Sequence, residues 1–121
     1  MTNQKKGFEI EAKVKDVLEQ RFSQNFSKIR LKMGNFTREI DIMSEDNQIA
    51  VQVKSGRDFS SSGRISSYRF AEICLDYIIL MATGASKKIL VLTDKEMYEQ
   101  FNIEINGLPL SGVDVELIEF S

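Results

Sequence analysis

Residues 37–54 read TREIDIMSEDNQIAVQVK, and this stretch decides the fold. Apolar residues recur at every second position in two runs, Ile40 and Ile42, then Ile49, Val51 and Val53. That period marks strands with one face on a core. Glu45-Asp46-Asn47 supplies turn residues between them, so Thr37–Ser44 and Ile49–Lys54 read as a hairpin. Side chains alternate faces along a strand. Glu39 and Asp41 are therefore expected opposite to Ile40 and Ile42, and Gln52 and Lys54 opposite to Ile49, Val51 and Val53. A carboxylate (Asp41), an amide (Gln52) and a lysine (Lys54) then share one polar face at the end of an apolar sheet. Nothing in packing calls for a lysine there.

On the N-terminal side, Lys28–Met33 alternates with Ile29, Leu31 and Met33 on one face, and Gly34-Asn35 turns it into the next strand. The three strands form an antiparallel meander. Before them, residues 5–22 read as a helix whose apolar stripe is Ile10, Val14, Val17, Leu18 and Phe22. At 100° per residue Glu11 falls about 20° from Leu18, inside that stripe. A carboxylate there is costly unless paired or metal-bound. Lys15, one turn on, is the local candidate for an ion pair.

On the C-terminal side, residues 55–67 (SGRDFSSSGRISS) read as a flexible loop with hydroxyls and arginines suited to phosphates. Ser66–Thr83 reads as a helix apolar nearly all round in its second half, a pattern that fits a sandwiched helix or one shared with a partner subunit. Its Tyr77–Met81 stripe is read as core or dimer contact. Lys88–Leu92 is a short apolar strand. Thr93 and Glu96 have the spacing of a capping box, which starts a helix running to about Phe101 and leaves Asp94 as helix-start chemistry. Val113–Phe120 alternates as a last strand. The order α-β-β-β-α-β-α-β over residues 1–121 is one mixed α/β domain.

Composition narrows the chemistry. The chain has 121 residues, no histidine and one cysteine, Cys74. Imidazole bases, Ser-His-Asp triads, His-ligated zinc and disulfide frameworks are excluded. Cys74, with no histidine to activate it, is expected to be a buried core thiol. Catalysis here must use carboxylates, amides, lysine, hydroxyls or a hard metal on oxygen ligands. The net charge is −2, but from Asp94 onward seven acids stand against Lys95 alone, so the first 93 residues are net positive. A basic face with an acidic far side is compatible with phosphate binding, and equally with solvated loop charges. The longest apolar stretch, Ile73 to Ala82, is interrupted by Asp76 and is too short to span a bilayer. With no apolar segment after Lys5 and Lys6, a cytoplasmic chain without membrane attachment is expected.

The element order, with Glu11, Asp41 and Gln52-Val53-Lys54, resembles the PD-(D/E)xK nuclease superfamily over roughly residues 5–93. The segments KKGFEIEAKVKDVL and IAVQVKSG look closest to Mrr-like restriction endonucleases and archaeal Holliday-junction resolvases. The resemblance implies a restriction-endonuclease-like core, α-β-β-β-α-β, with a mixed sheet flanked by helices and an added C-terminal helix and strand. It implies Glu11, Asp41, Gln52 and Lys54 as catalytic residues. Mg²⁺ or Mn²⁺ would be held by Asp41, the Gln52 amide oxygen, the Val53 carbonyl and Glu11. Ile40 stands where the family name has proline, and Gln52 replaces the family's acidic residue. Glu39 is a further candidate metal ligand. Arg57, Arg64, Tyr68 and Arg69 would contact DNA, and a homodimer would suit cutting both strands. The expected function is a metal-dependent DNA endonuclease, restriction-like or junction-resolving. The alternatives are a catalytically inactive nucleic-acid-binding or scaffold protein on the same fold, and an unrelated α/β interaction domain.

Overall fold

Three antiparallel strands close by short turns, and two further strands arrive by helical crossovers. The structure is a computed structural model describing residues 3–120, with side chains from residue 7 onward. The elements are α1 (Asn3–Phe22), β1 (Phe26–Met33), β2 (Phe36–Ser44), β3 (Ile49–Lys54), α2 (Ser67–Ala82), β4 (Lys87–Leu92), α3 (Lys95–Ile105) and β5 (Asp114–Leu117). They build one five-stranded mixed sheet in the order β1-β2-β3-β4-β5. The β1–β2 and β2–β3 pairs are antiparallel, and β3–β4 and β4–β5 are parallel. Gly34 takes φ 61° in the β1–β2 turn, a conformation that costs glycine little.

Helices cover both faces. On one, Val14 and Leu18 of α1 bury against Ile42, Val51, Val53, Ile89 and Val91. On the other, Ile73, Tyr77 and Leu80 of α2 with Met97, Phe101 and Ile105 of α3 bury against Ile40, Ala50, Leu90 and Leu92. Full burial of such side chains contributes about 1.5–3 kcal/mol each before entropy is charged against it. Cys74 is half-buried at the edge of the second cluster, and burial pushes its thiol pKa up. Among the described residues no helix is long and apolar enough to cross a membrane.

Four sequence expectations need correction. Ile40 and Ile42 do not share a face: Ile40 packs under α2 and Ile42 under α1. The β1–β2 register slips between Ser27↔Met43 and Ile29↔Ile40, so β2 carries one residue more than β1 opposite Lys28. That β-bulge reverses the phase of the alternation at Asp41. The cap of α3 is Asp94, whose side chain accepts hydrogen bonds from the N–H groups of Glu96 (3.0 Å) and Met97 (3.1 Å). Thr93 instead donates its N–H to the Lys54 carbonyl at 3.3 Å, which keeps it in the sheet. The helix runs on to Ile105 instead of stopping near Phe101, and the last strand pairs only over Asp114–Leu117.

Candidate functional site

The bulge and the end of the β2–β3 ladder coincide. Only Ile42↔Val51 and Met43↔Ala50 are in register between these strands. Toward Lys54 the strands part, which would strand backbone polar groups inside the protein, a costly outcome. Side chains fill the gap. The Gln52 amide oxygen accepts the Asp41 N–H at 2.8 Å, and its NH₂ donates to the Glu39 carbonyl at 3.0 Å. In return Asp41 Oδ2 accepts the Val53 N–H at 2.9 Å. Gln52 itself is only 3 % exposed, and both amide contacts are at least partly shielded from water. The N–H and C=O of one strand residue point to the same edge, so the Val53 carbonyl also faces the gap.

Both helical layers reach this opening. Glu11, on α1, brings its carboxylate beside Asp41. Its Oε1 is buried and accepts no hydrogen bond. Its cation is Lys28, with Nζ at 3.5 Å from Glu11 Oε1 and 3.3 Å from Glu39 Oε1. The nearby Lys15 expected from the sequence is not the partner. From the other layer, Asp76 of α2 holds Lys54, with Nζ 3.1 Å from Oδ2 and the Asp76 side chain only 15 % exposed. Glu11, Arg38, Glu39, Asp41, Gln52 and Lys54 line one open cleft of about 330 Å³, with Asp76 and Leu75 on its α2 wall.

Burial is the first cause of every perturbed acid here. It raises the Glu11 pKa, and the charge of Asp41 raises it further while Lys28 pulls it down. It raises that of Asp41 against the Val53 N–H, Lys28 and Lys54, which favour the carboxylate. It raises that of Asp76 against the Lys54 ammonium. All three carboxyls line the same cleft, Asp41 and Asp76 toward Lys54 and Glu11 toward Lys28, and acids perturbed in this way often gather at functional sites.

Among the described residues no three His, Cys, Asp or Glu side chains gather into a metal-holding group. What the gap offers is a pair: Glu11, with an orphaned buried oxygen, and Asp41, with one oxygen committed to Val53. The Val53 carbonyl lies on the same edge. Two carboxylates and a carbonyl suit a hard cation that keeps several waters. One acceptor site of the Gln52 amide oxygen is already taken by Asp41 N–H.

Of the four residues expected to hold nucleic acid, Arg57 and Arg69 line one pocket that shares Gly7 and Ser55 with the cleft, while Arg64 lines another, and three of the four are paired within the chain. Arg57 pairs with Asp94 at 2.7 Å and with Glu96, Arg64 with Glu104 at 2.9 Å. Arg69 donates to the Ser55 carbonyl and lies 3.4 Å from Glu72, while Tyr68 stands exposed at the start of α2. Arg38, beside Phe36, is the arginine that lines the cleft. The residue that sequence reasoning missed is Asp76. Its signal was visible: one carboxylate inside an otherwise apolar helical stretch has to be answered by a cation.

Compared with known proteins, the chain matches no family model, no curated protein and no solved structure. The chemistry of the cleft is what speaks for function.

Proposed function

We propose that this protein is a metal-dependent DNA endonuclease with a restriction-endonuclease-like core, hydrolysing phosphodiester bonds at the β2–β3 gap. The observation that carries this reading is the Glu11–Asp41 pair, facing a gap that Lys54 also lines. Two half-buried carboxylates side by side, one with an oxygen that accepts no hydrogen bond and is met only by Lys28 at 3.5 Å, repel each other at neutral pH, and a divalent cation would offset that cost.

In this reading Glu11, Asp41 and the Val53 carbonyl would hold Mg²⁺ or Mn²⁺, which would supply an acidified water and charge stabilisation at the phosphate. Lys54, kept in place by Asp76, orients the attacking water or meets charge developing on the phosphoryl oxygens. Gln52 positions Asp41 by holding its backbone. Arg38 is the cation best placed to bind a backbone phosphate, ahead of Arg57, Arg64 and Arg69, which are answered within the chain.

One observation favours the alternative of an inactive scaffold that binds nucleic acid: the residue replacing the family's acid is spent on strand–strand hydrogen bonds. A cleavage assay with Mg²⁺ or Mn²⁺ on plasmid, linear duplex and four-way-junction DNA decides between them. Wild type is run beside Asp41→Ala and Lys54→Ala. Metal-dependent cutting lost in both variants supports the nuclease, and binding without cutting in all three forms refutes it.

A further inference from the structure

The arginines of the Ser-rich loop are answered by acids, but the cations at the end of the β1–β2 hairpin are not. Arg30, Lys32 and Arg38 are exposed and form no ion pair among the described residues. Glu39 stands in register opposite Arg30, yet its carboxylate goes to Lys28. From Lys28 to Glu39 the hairpin carries four cations and one acid. Like charges gathered on so short a segment repel one another and draw anions.

The same hairpin ends in a large aromatic ring. Phe36, directly after the Gly34-Asn35 turn, is 66 % exposed. The Arg38 guanidinium lies 5.7 Å from the centre of that ring, which steadies it while leaving most of it to solvent. In register Leu31 faces Arg38 and Met33 faces Phe36, so these side chains share the face of Ile40. On that face α2 lies chiefly over β3 and β4 and α3 over β4 and β5, while α1 reaches β1 and β2 from the opposite side. Protection of a free sheet edge accounts for cations on β1, the edge strand. It does not account for an exposed phenylalanine beside an exposed arginine on β2, which lies inside the sheet.

The hairpin also runs into the candidate site. Arg38 and Glu39 line the cleft with Asp41 and Lys54. Residues two apart on a strand project from one face about 7 Å from each other. Phe36 therefore stands one side chain beyond Arg38, on the path leading out of the cleft.

We infer that the β1–β2 hairpin binds single-stranded DNA as it leaves the cleft, with Phe36 stacking on an unpaired base and Arg38, Arg30 and Lys32 answering the phosphates. Charge complementarity and the ring together select this occupant: a polyanion fits the unanswered cations, and a base fits an open aromatic face beside them. In continuous duplex the bases are already stacked and paired, and freeing one costs energy. A single strand, a tail or a branch is therefore favoured. An acidic peptide would answer the cations and leave the ring without a flat partner. That the strand is cut where it enters the cleft rests on the nuclease reading, and the binding surface does not.

Fluorescence anisotropy in EDTA tests the surface separately from cleavage. The probes are a labelled oligothymidylate of about 12 nucleotides and the blunt duplex it forms with its complement. The wild type is expected to hold the single strand at least about fivefold more tightly than the duplex. Phe36→Leu, which keeps apolar bulk without a ring, should weaken single-strand binding at least about fivefold, and Phe36→Trp should retain it, with circular dichroism unchanged in both. Arg30→Gln combined with Lys32→Gln should flatten the slope of log affinity against log salt by about 1.4, while Lys95→Gln on α3 leaves it unchanged. A wild type that binds neither probe overturns the proposal. So does single-strand binding that is indifferent to Phe36→Leu, or no tighter than duplex binding. Phe36-dependent binding without metal-dependent cutting upholds this surface and refutes the nuclease, and cutting by a protein whose binding ignores Phe36 does the reverse.

Discussion

Replacing Glu11 with glutamine should make the protein more stable and less able to respond to Mg²⁺. The substitution keeps size and shape but removes one half-buried charge. In the wild type that charge leaves Oε1 buried without a hydrogen bond and stands beside the Asp41 carboxylate. A buried unsatisfied acceptor costs about 1–3 kcal/mol. Against this, Lys28 loses one of its two carboxylates, at 3.5 Å and with the lysine 38 % exposed, worth at most about 1 kcal/mol. The balance is a gain of about 1 kcal/mol at pH 7, or a Tm higher by about 4 °C for a chain of this size.

The pH dependence has a definite sign. A carboxyl whose folded pKa is raised binds its proton more tightly in the native state, so stability falls as pH climbs through the folded value. The penalty is absent below the ordinary glutamate value of 4.5. The Glu11→Gln advantage should therefore be larger at pH 7 than at pH 4 and shrink toward zero as pH drops below that value. If Glu11 and Asp41 hold Mg²⁺ at millimolar affinity, tenfold excess over Kd stabilises the wild type by about 1.4 kcal/mol. The variant should lose most of that response. Thermal melts at pH 7 and pH 4, with and without MgCl₂, read all three effects. A variant that melts below wild type at pH 7, or whose advantage widens on acidification, refutes the account of the carboxylate pair. An undiminished Mg²⁺ response refutes the metal assignment.

The same bookkeeping extends to neighbouring residues. Lys54→Met leaves the Asp76 carboxylate without its cation and should cost about 2–3 kcal/mol. Adding Asp76→Asn should restore most of that stability in urea unfolding, while cleavage stays at least about 100-fold down in both. Gln52→Ala strands the Asp41 N–H and the Glu39 carbonyl and should cost about 2–4 kcal/mol. Gln52→Glu keeps the acceptor but sets a carboxylate against the Glu39 carbonyl, so it should be about 1–3 kcal/mol less stable than wild type at pH 7. It should regain stability on acidification, when the protonated acid can donate again. Asp94→Ala removes the α3 cap and one partner of Arg57 and should lower stability by about 1–2 kcal/mol, measured by chemical denaturation.

The elements were legible because their cause is local. Val14 and Leu18 on one helical stripe, and Ile49, Val51 and Val53 at period two, state which face each element buries. What escaped was set by partners distant in sequence. Alternation assumes one residue opposite one residue, and the extra residue of β2 changes no local propensity, so Ile40 and Ile42 still read as one face. Thr93 and Asp94 are both good caps, and the Thr-x-x-Glu spacing favours the first. The Thr93 hydrogen bond to Lys54 in β3 moves the cap by one residue. The inward turn of Glu11 follows from the wheel, but its cation comes from β1, and a one-helix reading offers only Lys15. The arginines of the Ser-rich loop look available because the acids that answer them, Asp94, Glu96 and Glu104, lie 30 to 40 residues on.

These misses meet at one place, and for a physical reason. Had β2 and β3 stayed zipped to their ends, the Asp41 and Val53 N–H groups would belong to an ordinary ladder and Asp41 would project from a regular strand face. The bulge and the parted strands instead turn Asp41 inward, toward Glu11 of one layer, while Lys54 reaches Asp76 of the other. Holding the strands apart costs backbone hydrogen bonds, and the Gln52 amide is suited to replace them because it accepts and donates at once. An ionised acid at that position can only accept. The residue that departs from the nuclease pattern is thus also the one that holds the gap open. In the nuclease reading its neutrality leaves Glu11 and Asp41 as the carboxylates beside Val53, so a cation there would be bound loosely and through water instead of tightly by protein.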